Sequence, residues 1–505
     1  MSLTAPARRP ATAPGGRPAT WVRPLGYAVL GAQLVVMMVI GHQEVERWNT
    51  TTDFGGFAQA WTLIAHAHLD PFVTLFGHPF WKNHFELAMW PLSLLYWVHH
   101  SPETLKWVQE IATVGAELVG FRWVLDALER RGARPGLPLA PAALGFLALE
   151  VLNPQLYAAD WFDFHFEALA AFGVIAAARA FYDRRDRAGV IWCALALLCG
   201  DVAGIYVAAL GVAVFVCSPR RRLLGAAVAA AGVAWVGIIS ALGANTGSNL
   251  AGYYYLAQGG RSGLTALVIG LVTHPRRPLH VLRLRRAELL DTVHGTGLIG
   301  VFAPWIAFLV AAAVVPPALS DQVAYIQTPF QFVLATLAAP IGAVLVLEWL
   351  GRRHLSGART AAVVIGALAL AWSLVWSVPR ISTARQRWFV VSAQQAAVLH
   401  QVDRQIPSQA LVVASENVAG HFAQRAHVAA WGWGHIHEVF AITATPVVFL
   451  FVDNELGIFG APAAATVSAY VRDQLHARQI SAQSGVYAFI WQPPAGQTTV
   501  TVPAP

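Results

Sequence analysis

Long apolar blocks, separated by short arginine-rich segments, are the feature that most limits what this chain can fold into. Of its 505 residues, 56% are hydrophobic and only 12% are charged, about half the charged fraction of a soluble domain. Many blocks approach the roughly 20 residues with which a helix crosses a bilayer. The pattern excludes a soluble cytosolic enzyme, a disordered chain and a fibrous protein. It predicts an all-α polytopic membrane bundle of about nine to eleven transmembrane helices.

The blocks also divide the chain. We expect residues 1–22 to be a disordered cytoplasmic N-terminus, residues 23–378 to be the transmembrane domain, and residues 379–505 to form an extracytoplasmic α/β domain. The first block, 25–40, has no small-residue cleavage site after it and so predicts an uncleaved span. Further spans are expected at about 104–127, 138–156, 165–182, 188–200, 202–217, 223–243, 296–315, 330–350 and 360–378, with a short or broken crossing at 262–274.

The placement of charge predicts orientation in the plasma membrane. Arginine clusters near residues 130, 185, 221 and 352 are typical of cytoplasmic loops. A cytoplasmic N-terminus then places the polar, aromatic first loop (42–102) and the C-terminal domain outside, and the basic run 274–286 inside. Because the arginines of the net +7 charge lie between apolar blocks, we expect membrane lipids and no nucleic acid as partners. The three cysteines all lie in apolar runs and predict no disulfide framework.

The residues after about 400 change from apolar blocks to short β-branched runs. Residues 410–414, 446–452 and 486–491 are strand-like, and 462–477 has a helical pattern. These strands are too short to span a bilayer, so they predict the small outer α/β domain.

Ionisable residues near the membrane are the candidates for chemistry, because a charge there is costly and usually functional. Asp53, in Thr51-Thr52-Asp53-Phe54-Gly55-Gly56, could act as a general base on an incoming hydroxyl, since the glycines let a substrate approach. The alternative is that Asp53 only caps a helix.

Two further clusters are Lys82-Asn83-His84-Phe85-Glu86 and Asp163-Phe164-His165-Phe166-Glu167. If the second is extended, Asp163, His165 and Glu167 share a face that suits a divalent metal such as Mg²⁺ or Mn²⁺. Capping of a helix by Asp163 is the alternative, and no other cofactor is expected. Asp201 is either a second acid of the site or a turn residue. The candidate phosphate-binding side chains are Lys82, Arg261, Arg380, Arg385 and Arg387. The alternative for Arg380, Arg385 and Arg387 is that they anchor the chain at the membrane interface.

The order of these motifs resembles the DUF2079 family of multi-span proteins. That family shows a D-[LF]-G-x-F-x-Q motif, here Asp53 to Gln59, then H-F-S-P-like and F-H-P-E-like blocks, here at His84-Phe85 and Phe164 to Glu167. The C-terminal domain is similar in opening with Ile406-Pro407 and an apolar strand. The chain departs at Glu86 and Phe166, where the family has Ser and Pro, and at Gly200-Asp201, where it often has a Glu-Asp pair.

The family looks related to the GT-C glycosyltransferases, and this resemblance implies a GT-C-like fold and chemistry. The implied reaction is transfer of a sugar, with inversion, from a polyprenyl-phosphate donor to an envelope glycan or lipid acceptor. Asp53 would be the general base, and Lys82, Asn83, His84, Glu86, Asp163, His165, Glu167 and Asp201 would bind substrate. The rival hypotheses are a transporter or lipid flippase without bond chemistry, and a non-catalytic assembly protein.

Overall fold

A computed structural model describes residues 20–83, 85–129, 137–244, 252–257, 263–321, 329–353, 356–385, 391–432, 437–453 and 464–503. The expected disordered segment 1–22 lies almost entirely outside these residues. The membrane part is helical: α1 (Val22–Glu46), α2 (Thr52–Ala65), α3 (Met89–Ser93), α4 (Glu103–Glu129), α5 (Leu139–Val151), α6 (Pro154–Phe162), α7 (Phe166–Tyr182), α8 (Asp186–Leu197), α9 (Asp201–Cys217), α10 (Arg222–Ala241), α11 (Leu264–Thr273), α12 (Arg276–Leu284), α13 (Arg286–His294), α14 (Pro304–Leu319), α15 (Val333–Gly351) and α16 (Ala358–Arg385). A two-residue hairpin, β1 (Phe72–Val73) and β2 (His78–Pro79), follows α2.

Helices occupy the positions of the predicted spans, which confirms the polytopic helical bundle. By length and composition, five of the described helical segments can cross a membrane: Val22–Glu46, Leu139–Phe162, Pro219–Ala241, Phe330–Gly351 and Ala358–Ile381. Two shorter apolar helices are Asp201–Cys217 and Pro304–Leu319. Helices α8 and α9 meet in a turn at Gly200, which has a φ of +103°, a conformation that favours glycine.

Ion pairs give the bundle two distinct ends. Helices α1 and α4 are antiparallel, because Arg23 pairs with Glu129 at 2.6 Å at one end and Lys106 pairs with Glu44 at 3.1 Å at the other. At the first end Arg352 also donates to the carbonyl of Ala127 at 2.9 Å. We name this the arginine end. The opposite end, which holds Glu44 and Lys106, is named the carboxylate end.

The basic run 274–286 lies at the carboxylate end, so the expectation that it shares a side with the other arginine clusters is wrong. Helix α14 starts at the arginine end, where Trp305 packs on Tyr182 with ring centroids 5.7 Å apart. Arg285 donates to the carbonyl of Ala318 at the other end of α14, at 3.2 Å. The expected crossing by α11 fails because ten residues span only about 15 Å, half of a bilayer core of about 30 Å.

The crossing in this region is made instead by the broken segment 286–303. The amide of Gly297 donates to Ser373 Oγ, midway along α16, at 3.1 Å. Gly300 then packs so tightly on α15 that a Cβ there would lie 1.9 Å from the carbonyl oxygen of Ala339. The chain therefore reaches the start of α14 at the arginine end by short helical turns and close glycine contacts.

The C-terminal domain is a mixed sheet covered on both faces. Its strands and helices are α17 (Ala393–Asp403), β3 (Leu411–Ser415), α18 (Glu416–Ala419), β4 (Val428–Trp431), β5 (His437–Ala441), β6 (Val447–Val452), α19 (Ala464–Asp473), β7 (Arg478–Gln483), β8 (Val486–Trp491) and β9 (Thr499–Pro503). The main sheet has the order β4-β3-β6-β8-β7, with β3 parallel to β4 and β6, and β8 antiparallel to β6 and β7; β5 and β9 form a separate antiparallel pair. Val412 packs with α17 and Val413 with α19, which explains the continuous apolar run of β3.

The C-terminal domain is anchored on the chain between α1 and α2. Trp48 is fully buried in the same apolar cluster as Leu399 of α17. Its indole stacks on His421 with ring centroids 3.5 Å apart. Gln59 of α2 donates to the carbonyl of Arg425 at 3.1 Å. These contacts join the domain to the carboxylate end of the bundle.

Candidate active site

Asp53 lies in the first turn of α2, which Thr51 caps. Thr51 has extended backbone, and its Oγ1 accepts a hydrogen bond from the Asp53 amide at 3.3 Å. The alternative that Asp53 is itself the cap is therefore wrong. Its half-buried side chain lies where the partial positive charge of a helix N-terminus favours a carboxylate.

Asp163 lies against the same helix end. It is buried, with extended backbone between α6 and α7, and its Oδ2 accepts hydrogen bonds from the Thr51 hydroxyl and, at 3.4 Å, from the Phe54 amide. Burial raises the pKa of Asp163 to about 7; Lys106 and the Thr51 hydrogen bond oppose this shift, whereas the charge of Asp53 adds to it. The structure thus brings Asp53 and Asp163 together.

A third carboxyl group comes from the C-terminal domain. Glu416 begins α18, directly after β3, and its side chain lies beside Gly432. Burial, followed by the charges of Asp53, Asp163 and Glu438, raises the pKa of Glu416 to about 8. We name Asp53, Asp163 and Glu416 the acid triad. Its members come from three distant parts of the chain and interact electrostatically at the start of α2.

Two glycines permit this approach. The amide of Gly420 donates to the carbonyl of Thr50 at 3.2 Å. A Cβ at Gly55 would lie 2.8 Å from Gly420 Cα, which is closer than side chains pack. Close backbone contact between α2 and the C-terminal domain thus explains why the third residue of the Asp53-Phe54-Gly55 motif is a glycine.

Lys106 is a buried cation below the acid triad. Its Nζ lies 3.1 Å from Glu44 Oε2 and donates to the carbonyl of Asp160, and both members of the ion pair are 2% exposed. Its charge also acts on Asp163. Burial of a charged pair is costly, and loss of either partner leaves an uncompensated charge.

Gln109, one turn along α4, fixes the corner that carries Asp163. Its side-chain amide donates to the carbonyl of Asp163 at 3.0 Å, and its Oε1 accepts from the amide of His165 at 2.6 Å. The ring of His165 stacks on Phe330 with centroids 3.6 Å apart. Helix α4 therefore fixes the backbone at Asp163 and His165, in the first half of the second predicted motif.

Further acids lie inside the bundle, Glu110 and Glu117 on α4 and Glu150 on α5. Glu117 Oε1 accepts from Gln33 Nε2 at 2.9 Å. Within the described ranges, neither oxygen of Glu110 or Glu150 has a hydrogen-bond partner, although both residues are fully buried. Because unpaired buried carboxyl groups are costly, we treat Glu110, Glu117 and Glu150 as a functional feature and name them the buried acid row.

The remaining predicted residues lie elsewhere. Lys82 is half-buried, and its Nζ lies 5.5 Å from the ring of Trp81. The amide of Asn83 donates to Phe80 at 2.9 Å. No contact between either residue and the acid triad is seen among the residues that the structure describes, and His84 lies outside them. Phe85 has a φ of +59°, and the next helix, α3, begins only at Met89.

The glutamates that end the two His-Phe-Glu motifs share a neighbour. Glu86 and Glu167 both interact electrostatically with Cys199, and Glu167 and Asp201 both interact with Tyr206. Asp201 begins α9, where its Oδ1 accepts from the amide of Val202 at 2.9 Å. These three acids therefore lie around the α8–α9 turn.

The proposed metal ligands are not gathered at one point. In the described part of the chain, no group of three or more His, Cys, Asp or Glu side chains is arranged to hold a metal ion. Asp163 contacts α2, whereas Glu167 lies in the first turn of α7 and interacts with α8 and α9. The segment is extended only as far as His165, so the shared face that the metal hypothesis requires is lost.

Of the predicted arginines, Arg380 contacts other residues, and the rest lie outside the side chains that the structure describes. Arg380 packs on the ring of Trp376, with its Cζ 4.3 Å from the centroid, and its guanidinium lies 3.9 Å from Asp291. The residues of this prediction that lie outside the described side chains are Arg261, Arg385 and Arg387.

Two residues of the site, Lys106 and Glu416, are not among those predicted from the sequence. Lys106 was hidden inside a predicted span, although a lysine at such a position is itself a signal. Glu416 directly follows an apolar strand, at the carboxyl end of a partly parallel sheet, where functional side chains concentrate.

The chain is similar to known proteins both in fold and in sequence family. The fold resembles the crystal structure of ArnT from Cupriavidus metallidurans in the apo state, with a TM-score of 0.46, 12% sequence identity, and coverage of 94% of this chain and 100% of that one. Among curated proteins, none matches the sequence. The family model "Predicted membrane protein (DUF2079)" matches residues 48–457. Because this match covers most of the chain and includes every motif of the site, the protein is an integral multi-pass membrane protein that belongs to the DUF2079 family.

Proposed function

We propose that the protein is a membrane glycosyltransferase of the GT-C type. It transfers a sugar from a polyprenyl-phosphate donor to a hydroxyl group of an envelope glycan or lipid on the outer face of the plasma membrane. The observation that carries this proposal is the acid triad, which lies where the bundle meets the C-terminal domain. A reaction between a lipid-linked donor and a polar acceptor requires a site at such a boundary.

Asp53 is the general base in this proposal. It is half-buried and lies at a helix N-terminus, where it interacts electrostatically with Asp163 and Glu416. Its carboxylate takes the proton of the acceptor hydroxyl as the acceptor oxygen bonds to the anomeric carbon. The bond from that carbon to the donor phosphate breaks, and the polyprenyl phosphate leaves with the electron pair. Attack opposite to the leaving group inverts the anomeric centre.

Asp163 and Glu416 limit the negative charge that the donor phosphate meets. With pKa values of about 7 and about 8, both carry a proton for much of the time near neutral pH. The acid triad then holds fewer charges than three carboxylates would, while protons remain available for exchange with Asp53. Repulsion of an anionic donor is reduced accordingly.

The predicted residues outside the acid triad have a proposed role in substrate binding. Lys82, Asn83 and His84 follow the hairpin, and Glu86, Glu167 and Asp201 line the α8–α9 turn. A divalent ion at Asp163, His165 or Glu167 remains a separate proposal. Loss of transfer in EDTA, restored by Mg²⁺ or Mn²⁺, would support it.

Replacement of Asp53 tests the proposal directly. Purified protein in proteoliposomes, supplied with a polyprenyl-phosphate sugar and envelope acceptors, is assayed for glycan products by mass spectrometry. We expect D53N to lose transfer by at least about 10²-fold, with unchanged thermal unfolding. D70N, which changes an exposed aspartate of the same loop, is the matched control. Full transfer activity in D53N would refute the assignment of Asp53 as the general base.

A proton-coupled transporter or flippase is the second candidate, and the buried acid row favours it. The carboxyl groups of Glu110 and Glu150 are fully buried and have no hydrogen-bond partner among the residues that the structure describes. Ionisable groups held inside the membrane are typical of proton-coupled membrane proteins. The test is movement of a labelled polyprenyl-phosphate lipid across a liposome bilayer under a pH gradient. Gradient-driven movement that E110Q and E150Q abolish and D53N retains would favour transport over transfer.

A further inference from the structure

The basic run 274–286 is unusual in both composition and position. It contains five arginines, two histidines and no acidic residue. It lies at the carboxylate end of the bundle, whereas the arginines that pair with Asp126, Asp186 and Glu129 lie at the other end. The usual asymmetry of membrane proteins concentrates arginines on one side. A second concentration on the opposite side therefore calls for a ligand or surface that it serves.

Helix α12 is seated on the protein by one face only. Val281 and Leu282 pack against an apolar cluster that contains Leu256 and Leu319. No residue of α12 is fully buried. The orientation of the helix is thus fixed by its apolar contacts, and the rest of its surface is open.

The open face of α12 carries a row of positive groups. Arg276, His280 and Arg283 are exposed, and their spacing of four and three residues places them on one side of the helix. Within the described ranges neither Arg276 nor Arg283 pairs with an acidic side chain, in contrast to Arg380, which lies near Asp291. The row therefore has free positive charge in a fixed array.

Exposed leucines flank this row. Leu279 is 64% exposed and Leu284 is 68% exposed. A helix with arginines and leucines on its outer surface is suited to the boundary between lipid chains and head groups. The chemistry that matches the surface is an anionic phosphate attached to a long apolar chain.

We propose that Arg276, His280 and Arg283 form a docking site for the phosphate of the polyprenyl-phosphate donor, as this lipid enters from the membrane. The identity of the occupant rests on the proposed function. Charge complementarity argues for this occupant, because the exposed row is positively charged and the donor phosphate is an anion. Guanidinium groups bind phosphate oxygens through paired, charge-assisted hydrogen bonds, and the leucines contact the first part of the lipid chain.

The test measures binding without catalysis. The full-length protein in phosphatidylcholine nanodiscs is titrated with undecaprenyl phosphate, and bound lipid is counted by native mass spectrometry. We expect R276Q/R283Q to bind about tenfold more weakly and R276K/R283K to keep most of the affinity. R187Q/R220Q, which removes two exposed arginines at the arginine end, is the matched control and should bind like the wild type.

The outcomes separate this inference from the proposed function. Unchanged binding in R276Q/R283Q would overturn the docking site, as would equal binding of phosphatidylglycerol, which would show an anchor for anionic lipids. D53N should bind the lipid normally while it loses transfer. Weaker binding in R276Q/R283Q, together with no sugar transfer by the wild-type protein, would retain the docking site and refute the proposed function.

Discussion

The pH dependence of stability gives a direct test of the acid triad, through replacement of Glu416 by Gln. In the folded protein, burial and the charges of Asp53 and Asp163 raise the pKa of Glu416 from 4.5 to about 8. An unfolded chain restores the ordinary value. Between pH 4.5 and pH 8 the unfolded state therefore loses this proton while the folded state keeps it, so stability must fall as pH rises through that window.

The size of the effect follows from the shift. A change of one pKa unit corresponds to 1.36 kcal/mol, so the shift of Glu416 corresponds to a loss on the order of 5 kcal/mol across the window. Burial is the largest cause of this shift, and the neighbouring acids follow. Glutamine cannot ionise, and it retains the shape of the protonated carboxyl group. The E416Q variant should therefore lack this contribution and gain stability relative to wild type above pH 8.

Thermal unfolding of the full-length protein in detergent, from pH 5 to pH 9, measures the difference. Wild type should lose stability steadily toward pH 8, and E416Q should lose distinctly less. E288Q, at an exposed position in α13, should follow the wild type. Parallel curves for wild type and E416Q would refute the placement of Glu416 against Asp53 and Asp163.

Two further predictions concern how the site is held. In K106M the carboxylate of Glu44 is left buried without its cation, which should cost about 3–5 kcal/mol in unfolding experiments; E44Q/K106M should recover part of this, and equal stability of the single and double variants would contradict the ion pair. In G420A the new Cβ would lie 2.5 Å from the carbonyl oxygen of Thr51, so we expect a loss of about 1–3 kcal/mol and of transfer activity. G237A, where a Cβ meets nothing within 4 Å, is its control, and normal transfer in G420A would show that contact between α2 and the C-terminal domain is dispensable.

Much of the fold could be predicted because its signals are local. Apolar blocks of helical length and β-branched runs near residues 411, 447 and 486 each specify one element without reference to the rest of the chain. The end of α1 was harder to predict from the sequence. The helix continues beyond residue 40 to Glu46 because Glu44 is compensated by Lys106, and a pattern of hydrophobicity does not reveal that pairing.

The site was predicted only where its residues lie in recognisable motifs. Asp53 and Asp163 were identified, and both reach the acid triad. Glu416 lies 253 positions from Asp163 in the chain, and the contact between Gly55 and Gly420 that brings it there depends on how two domains dock. A single sequence carries no signal for such a contact.

The position of the basic run shows why charge patterning alone misassigned one crossing. The pattern of arginines assigns every cluster to the same side of the membrane. It therefore predicts that the short helix α11 crosses the membrane, so that the basic run 274–286 lies on the side of the other clusters. Packing gives a different result, since Arg285 contacts the end of α14 that is remote from Trp305. An arginine cluster on the side opposite to the other clusters needs a physical reason for its position. Binding of an anionic ligand is such a reason. The error in the topology prediction and the proposed lipid-phosphate site on α12 therefore have the same cause.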